Sequence, residues 1–235
     1  MINRRFFVIG ASSAAIIAAR RPASLLDRAI LRAGGAEALR HAHILQWKGE
    51  ATVIAGGRRI DIGVSTHVEP FVSARSDSWL LSDGPAKTRS LIIEQHGGWV
   101  ERDGTRTPMP EPMLRHERAQ YAVYGLMRLV SLYDPGASGL AGAALNTLVA
   151  RHPGAPDTII GLDEDGKLAW ATNIVPKPDG EGTVEQRFAF SGVMQSRGVR
   201  WPARIQIEQS GVPYLDLRLS QFAVRQQPRR SATQR

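Results

Sequence analysis

Apolar positions along the chain recur with two different periods, and the places where the period changes divide it. Near the start, Leu25, Leu26, Ala29, Ile30 and Leu31 fall at helical spacing. Ser24 is placed to cap that helix, and Asp27 sits in its first turn, where a negative charge is favoured. Gly34-Gly35 interrupts the pattern, and residues 36–40 allow a further turn or two. From Ile44 the period becomes two. Residues 44–54 read as a strand, Gly56-Gly57 as its turn, and Ile60, Ile62 and Val64 then share one face of a second strand. Further strands are expected at 74–81, 88–95 and 99–102, with Gly97-Gly98 and Asp103-Gly104 supplying turn chemistry.

The helical period returns over residues 111–133. Pro112 suits a first helical turn, where a backbone N–H lacks a partner anyway, and Asp134-Pro135-Gly136 stops the helix. From Tyr121 onward the polar interruptions are chiefly Gly125, Arg128 and Ser131. An apolar arc this wide needs cover on most of its circumference, which points to the centre of a core or the wall of a cavity. Residues 136–142 are small and glycine-rich and read as a loop. A second run of strands follows at 157–162 and 167–175, around the hairpin signal Asp163-Glu164-Asp165-Gly166. In 183–191, Val184, Gln186, Phe188 and Phe190 alternate with Glu185 and Arg187. The last pair is 199–209 and 212–224, with Ile205, Ile207, Leu215, Leu217 and Leu219 facing inward. Runs of short strands around one long apolar helix do not form a parallel α/β pattern. The fold class expected is α+β: a curved antiparallel half-barrel sheet of roughly ten strands with helices packed on its concave face.

Charge changes the picture less than its total suggests. The formal net charge is +8, yet Arg4, Arg5, Arg20 and Arg21 lie before residue 24, and Arg225, Arg229, Arg230 and Arg235 lie after residue 224. The body between is formally neutral, so a basic groove for nucleic acid is not expected. Cysteine is absent, which excludes disulfides, thiolate catalysis and attachment of lipid through a cysteine. At the N-terminus, paired arginines precede a 6–19 run of apolar or small residues, too short for the roughly 20 residues of a membrane-spanning helix. The order matches an export signal over 1–23, whose paired arginine resembles the twin-arginine type, with a general secretory signal left open by the lack of a polar residue after Phe7. The expected organisation is therefore a signal, one domain over 24–224, and a disordered basic tail over 225–235.

Candidate chemistry is sparse. His41-x-His43 offers two metal ligands without the further residues of a zinc motif, so no metal is expected. Asp163 and Asp165 match part of a calcium loop that lacks its other ligands. Ser191-Gly192 lacks the frame of a hydrolase elbow, and Glu111 and Glu117, six apart, are not neighbours on a helix. No acid–base pair emerges, and no cofactor or enzymatic activity is expected.

Several short motifs carry a resemblance. They are Gly34-Gly35-Ala36-Glu37-Ala38-Leu39 with the strand after it, the hairpin at Gly97-Gly98-Trp99, the turn Asp165-Gly166-Lys167-Leu168, and Gly198-Val199-Arg200-Trp201-Pro202-Ala203-Arg204-Ile205. In these the chain resembles the periplasmic lipoprotein-carrier family, the Lol carriers and related outer-membrane lipoprotein-sorting proteins. The resemblance implies a half-barrel with a helical lid that holds acyl chains away from water. It implies a periplasmic, non-enzymatic carrier of a lipid or of a lipoprotein's acyl chains, with transient membrane contact at most and an envelope protein as a possible partner. On that reading the cavity is lined by Leu114, Tyr121, Tyr124, Met127 and Val130 from the helix and by Phe188, Phe190, Leu217 and Leu219 from strands. Two other readings stay open: an exported cofactor- or metal-dependent enzyme, and a scaffold subunit of an envelope complex.

Overall fold

The computed structural model describes residues 24–225. The expected export signal and all but the first residue of the expected tail lie outside the described residues. Ser24 caps α1 (Leu25–Arg32) as its spacing predicts: its hydroxyl accepts from the Asp27 N–H while the Asp27 carboxylate accepts from the Ser24 N–H, a reciprocal capping box. Gly34 and Gly35 take φ of 126° and 91°, a turn open to glycine, and lead into α2 (Ala36–His41).

The first strand run is β1 (Ile44–Ala55), β2 (Arg58–Glu69), β3 (Ser73–Leu80), β4 (Arg89–Glu94), β5 (Gly97–Arg102) and β6 (Thr105–Pro108). Helix α3 (Glu111–Leu126) and a 3-10 turn at Val130–Tyr133 follow. The second run is β7 (Ser138–Ala141), β8 (Thr147–His152), β9 (Ala155–Leu162), β10 (Leu168–Pro176) and β11 (Thr183–Ser191), then a small hairpin of β12 (Met194–Ser196) and β13 (Val199–Trp201), then β14 (Arg204–Gln209) and β15 (Val212–Arg225).

Thirteen strands form one open sheet in the order β6-β5-β4-β3-β2-β1-β15-β14-β11-β10-β9-β8-β7, every neighbouring pair antiparallel. The chain thus runs out to one edge, crosses through α3, and returns from the opposite edge to close on its first strand. The central position of α3 follows from that path: it is the link between the two edges.

The contacts of α3 show how strongly the sheet bends. A Cβ on Gly98 of β5 would lie 2.6 Å from Leu114 Cδ1, while two residues on, His116 Nδ1 donates to the Pro176 carbonyl of β10 at 2.7 Å. In a flat sheet β5 and β10 would stand roughly 38 Å apart, at about 4.8 Å per strand. A single helical turn about 10–12 Å across touches both. The sheet therefore wraps around the helix, and the helix-bearing face is its inner side.

Three expectations are corrected. The sheet holds 13 strands, not roughly ten, because β6, β7 and β8 were not foreseen and β7 lies in the stretch read as a loop. The strand expected over 199–209 is split at Pro202, which cannot donate to a ladder, and its first part pairs with β12 instead. The helix expected over 111–133 ends at Leu126. Leu129 adopts φ 59°, and the chain turns there to reach β7. The break lets the presumed polar stripe act internally: Ser131 Oγ donates to the Gly125 carbonyl at 3.1 Å, and Arg128 Nη2 to the Leu39 carbonyl at 3.1 Å.

Candidate ligand groove on the inner face

Alternation along each strand fixes which side chains enter the interior, and the registers align them into rows. Across the second run, Phe188 pairs with Ala171 and Ile207, Phe190 with Ile205, and Ile160 with Leu148 and Ala171. All of these are buried. Helix α3 covers them, and the few polar groups are Gln186, Asn173 and Thr158, a row under His116 and Gln120. Gln186 Nε2 donates to Gln120 Oε1 at 3.2 Å, while both polar atoms of the Asn173 amide lack a protein partner. This half is packed core.

The first run is different. Beyond the buried Leu45, Trp47, Val64, Val68, Ala74, Leu91 and Ile93, its inner rows read Val53, Ile60 and Ile62, then Leu80 and Ser78, then Arg89 and Arg102. None of the side chains in these rows is buried, although they point to the same side of the sheet as the core. They line a groove of about 480 Å³ that α3 does not reach. Its size falls within the roughly 300–1,000 Å³ of small-molecule pockets.

Where α3 meets this half, an acid enters the interior. Leu114, Glu117, Tyr121 and Tyr124 lie at steps of three, four and three, on one helical stripe. Burial pushes the Glu117 carboxyl up to about 7, with the Arg89 charge pulling the other way. Burial and the neighbouring Glu117 charge push Tyr214 of β15 up to about 12, and they raise Tyr121 and Tyr124 as well. Tyr124 packs edge-on against Trp47 at 4.9 Å and against Tyr121 at 5.8 Å. The carboxyl thus sits among aromatic rings, close enough to Arg89 to feel its charge.

All nine residues expected to line a cavity come together in one apolar cluster. Leu114, Tyr124, Met127, Val130, Phe188, Phe190 and Leu217 are buried in it, and Tyr121 and Leu219 pack partly buried against it. Tyr121 borders a small cleft of about 150 Å³ beside Phe71, and Phe190 borders an outer one of about 360 Å³ near Arg32 and Trp201. The residues around the 480 Å³ groove were not singled out. The signal for them was present in the alternation of Ile60 and Ile62, and in an acid standing on the apolar stripe of the central helix. Among the described residues no group of three histidine, aspartate or glutamate side chains is arranged to hold a metal ion.

A bent, open antiparallel sheet closed around a single crossing helix defines the structural class, and solved structures share it. The chain is similar to a LolA superfamily protein from Nitrosomonas europaea, at 12% identity and TM-score 0.53, over 86% of this chain and 94% of that one. A putative outer membrane lipoprotein-sorting protein domain from Vibrio parahaemolyticus matches at 9% identity and TM-score 0.51, over 84% and 90%. A DUF1329 family protein from Desulfovibrio piger matches at 11% identity and TM-score 0.54, over 85% and 91%. The chain has the fold of these proteins. No protein-family model matches its sequence, and no curated protein matches it either.

Proposed function

We propose that this is a periplasmic, non-catalytic binding protein that takes a lipid, or an acyl chain of a lipoprotein, into the first-run half of its inner face. The observation that carries the reading is the incomplete filling of that half. Val53, Ile60, Ile62 and Leu80 point to the interior side and are left in contact with solvent around the 480 Å³ groove. Covering such side chains contributes about 25 cal/mol per Å² of apolar surface, so a hydrocarbon chain laid along them is held by the same effect that closes the rest of the core. The fold shared with a lipoprotein-sorting protein domain supports the assignment. In this reading the nine clustered residues pack the core beside the groove.

Native mass spectrometry and solvent extraction of the purified protein test it. Co-purified lipid, or saturable binding of a fluorescent acyl probe, is the expected result. A protein that is always empty and binds no acyl probe overturns it. The packed second half favours one competing reading, a scaffold subunit whose barrel is filled by its own helix. That reading predicts an empty protein recovered with a protein partner.

A further inference from the structure

Two arginines border the groove side by side, Arg89 half-buried and Arg102 exposed. Arg89 opens β4 and Arg102 closes β5, and the register places them directly opposite each other. Strand alternation puts Arg89 on the same face as Leu91 and Ile93, and Arg102 on the same face as Val100. Both border the 480 Å³ groove. Among the described residues neither guanidinium takes part in an ion pair or a side-chain hydrogen bond. Like charges directly across a strand pair destabilise it, and arginine cannot shed its proton to escape.

The other charges nearby do not cancel the pair. Asp83 is taken by Lys87, at 3.5 Å. Asp103, in the turn after β5 with φ 50°, borders the same groove and makes no ion pair among the described residues. Glu117 faces Arg89 from α3 without forming an ion pair, and burial raises its carboxyl, which weakens its negative charge at neutral pH. The charges that border the groove, Asp83, Lys87, Arg89, Arg102 and Asp103, sum to +1, with the two guanidiniums brought side by side next to its apolar residues.

We infer that the groove takes a single-chain amphiphile with an anionic head, a carboxylate or a phosphate, whose head is held by Arg89 and Arg102 while its chain lies along Val53, Ile60, Ile62 and Leu80. Guanidinium groups match the oxygens of both heads in paired, charge-assisted hydrogen bonds. The volume fits one chain: a methylene takes about the share of space of a liquid water, about 30 Å³, so 480 Å³ accommodates a tail on the order of sixteen carbons. The inference rests on the reading of the groove as an acyl site and adds the chemistry of the head.

The test is a set of binding isotherms at pH 7 with four amphiphiles of one chain length: palmitate, palmitoyl lysophosphatidate, uncharged monopalmitoylglycerol and cationic hexadecylamine. The expected result is that one or both anionic probes bind about ten- to hundredfold more tightly than monopalmitoylglycerol, the range of a hydrogen bond to a charged group. The tighter of the two names the head. In the double variant Arg89→Gln, Arg102→Gln that affinity ratio collapses toward one. Equal binding of all four probes overturns the anionic head and leaves the acyl groove standing, and so does tightest binding of hexadecylamine. Binding of none overturns both. The ranking on the unmodified protein decides the matter even if the double variant fails to fold.

Discussion

The two halves of the inner face are made from the same parts, antiparallel strands joined by short turns, and they end up in opposite conditions. In the second run, Phe188, Phe190, Ile160, Ile205 and Ile207 interlock beneath α3 and are sealed from water. At one end of the first run, strands of equal regularity present Ile62, Ser78, Leu80 and Arg89 to the same interior, and the described chain covers them only in part. The difference lies in where the single crossing helix rests. Its first turns lean on the ends of β5 and β10, and its later turns put Gln120 over Gln186 and Gly125 against Phe71. One helix cannot fill a sheet of 13 strands, so a share of the bent face stays open. The open share carries Arg89 and Arg102, and a surface meant to stay buried in its own core would not carry unpaired charges.

That contrast can be broken experimentally, and the packed half offers the largest effect. Phe188→Ala is expected to cost about 3–5 kcal/mol in chemical denaturation, as for a fully buried aromatic in a close-packed core. A loss below about 1 kcal/mol would mean the second half is loosely filled after all. Next comes Glu117→Gln at the boundary. Burial raises this carboxyl from an ordinary 4.5 to about 7, so the folded state binds its proton more tightly than the unfolded state does. The stability it allows is complete below about pH 4.5 and lost as the pH rises through about 7. The glutamine variant should therefore be more stable than the parent by about 1–3 kcal/mol at pH 8, with the partial exposure of the side chain discounted, and equal to it at pH 4. A variant less stable than the parent at pH 8 would show that the charged form is held by a partner.

The smallest effects on stability belong to the open half. Ile62→Ala should cost about 1 kcal/mol or less, because the side chain is only partly covered. It should still weaken acyl-probe binding several-fold. Ile62→Trp should fill the trough, abolish probe binding, and leave the denaturation midpoint within the shift expected for about 1 kcal/mol. If either substitution unfolded the protein, Ile62 would belong to the core and not to a binding surface.

How far the sequence revealed this depends on which half is considered. In β11 buried and exposed positions alternate without a break, and each of Val184, Gln186, Phe188 and Phe190 is buried where the alternation places it. Ser24 was legible as the cap in the same direct way, and the structure adds the return bond from its N–H to Asp27. The edge strands were invisible because they bury little: Thr105–Pro108 is exposed throughout, and in Ser138–Ala141 no side chain is buried and Leu140 is exposed. The end of α3 was hidden for another reason. Leu129 is a residue that rarely takes a left-handed conformation, and only the need to reach β7 imposes it. Glu117 was set aside because it made no pair with Glu111, and its place on the stripe with Leu114, Tyr121 and Tyr124 was the feature that mattered. Arg89 and Arg102 became a pair only through the register of β4 and β5, which local pattern does not specify.

The central claim is that a hydrocarbon chain occupies the open half and is refused by the packed one. Photo-crosslinking with a diazirine-bearing palmitate, followed by peptide mapping of the full chain, tests that claim directly. The account predicts labels clustered at Val53, Ile60, Ile62, Leu80 and the segment around Arg89. Labels concentrated at Phe188, Ile160 or Leu148, or spread evenly over both faces of the sheet, would contradict it.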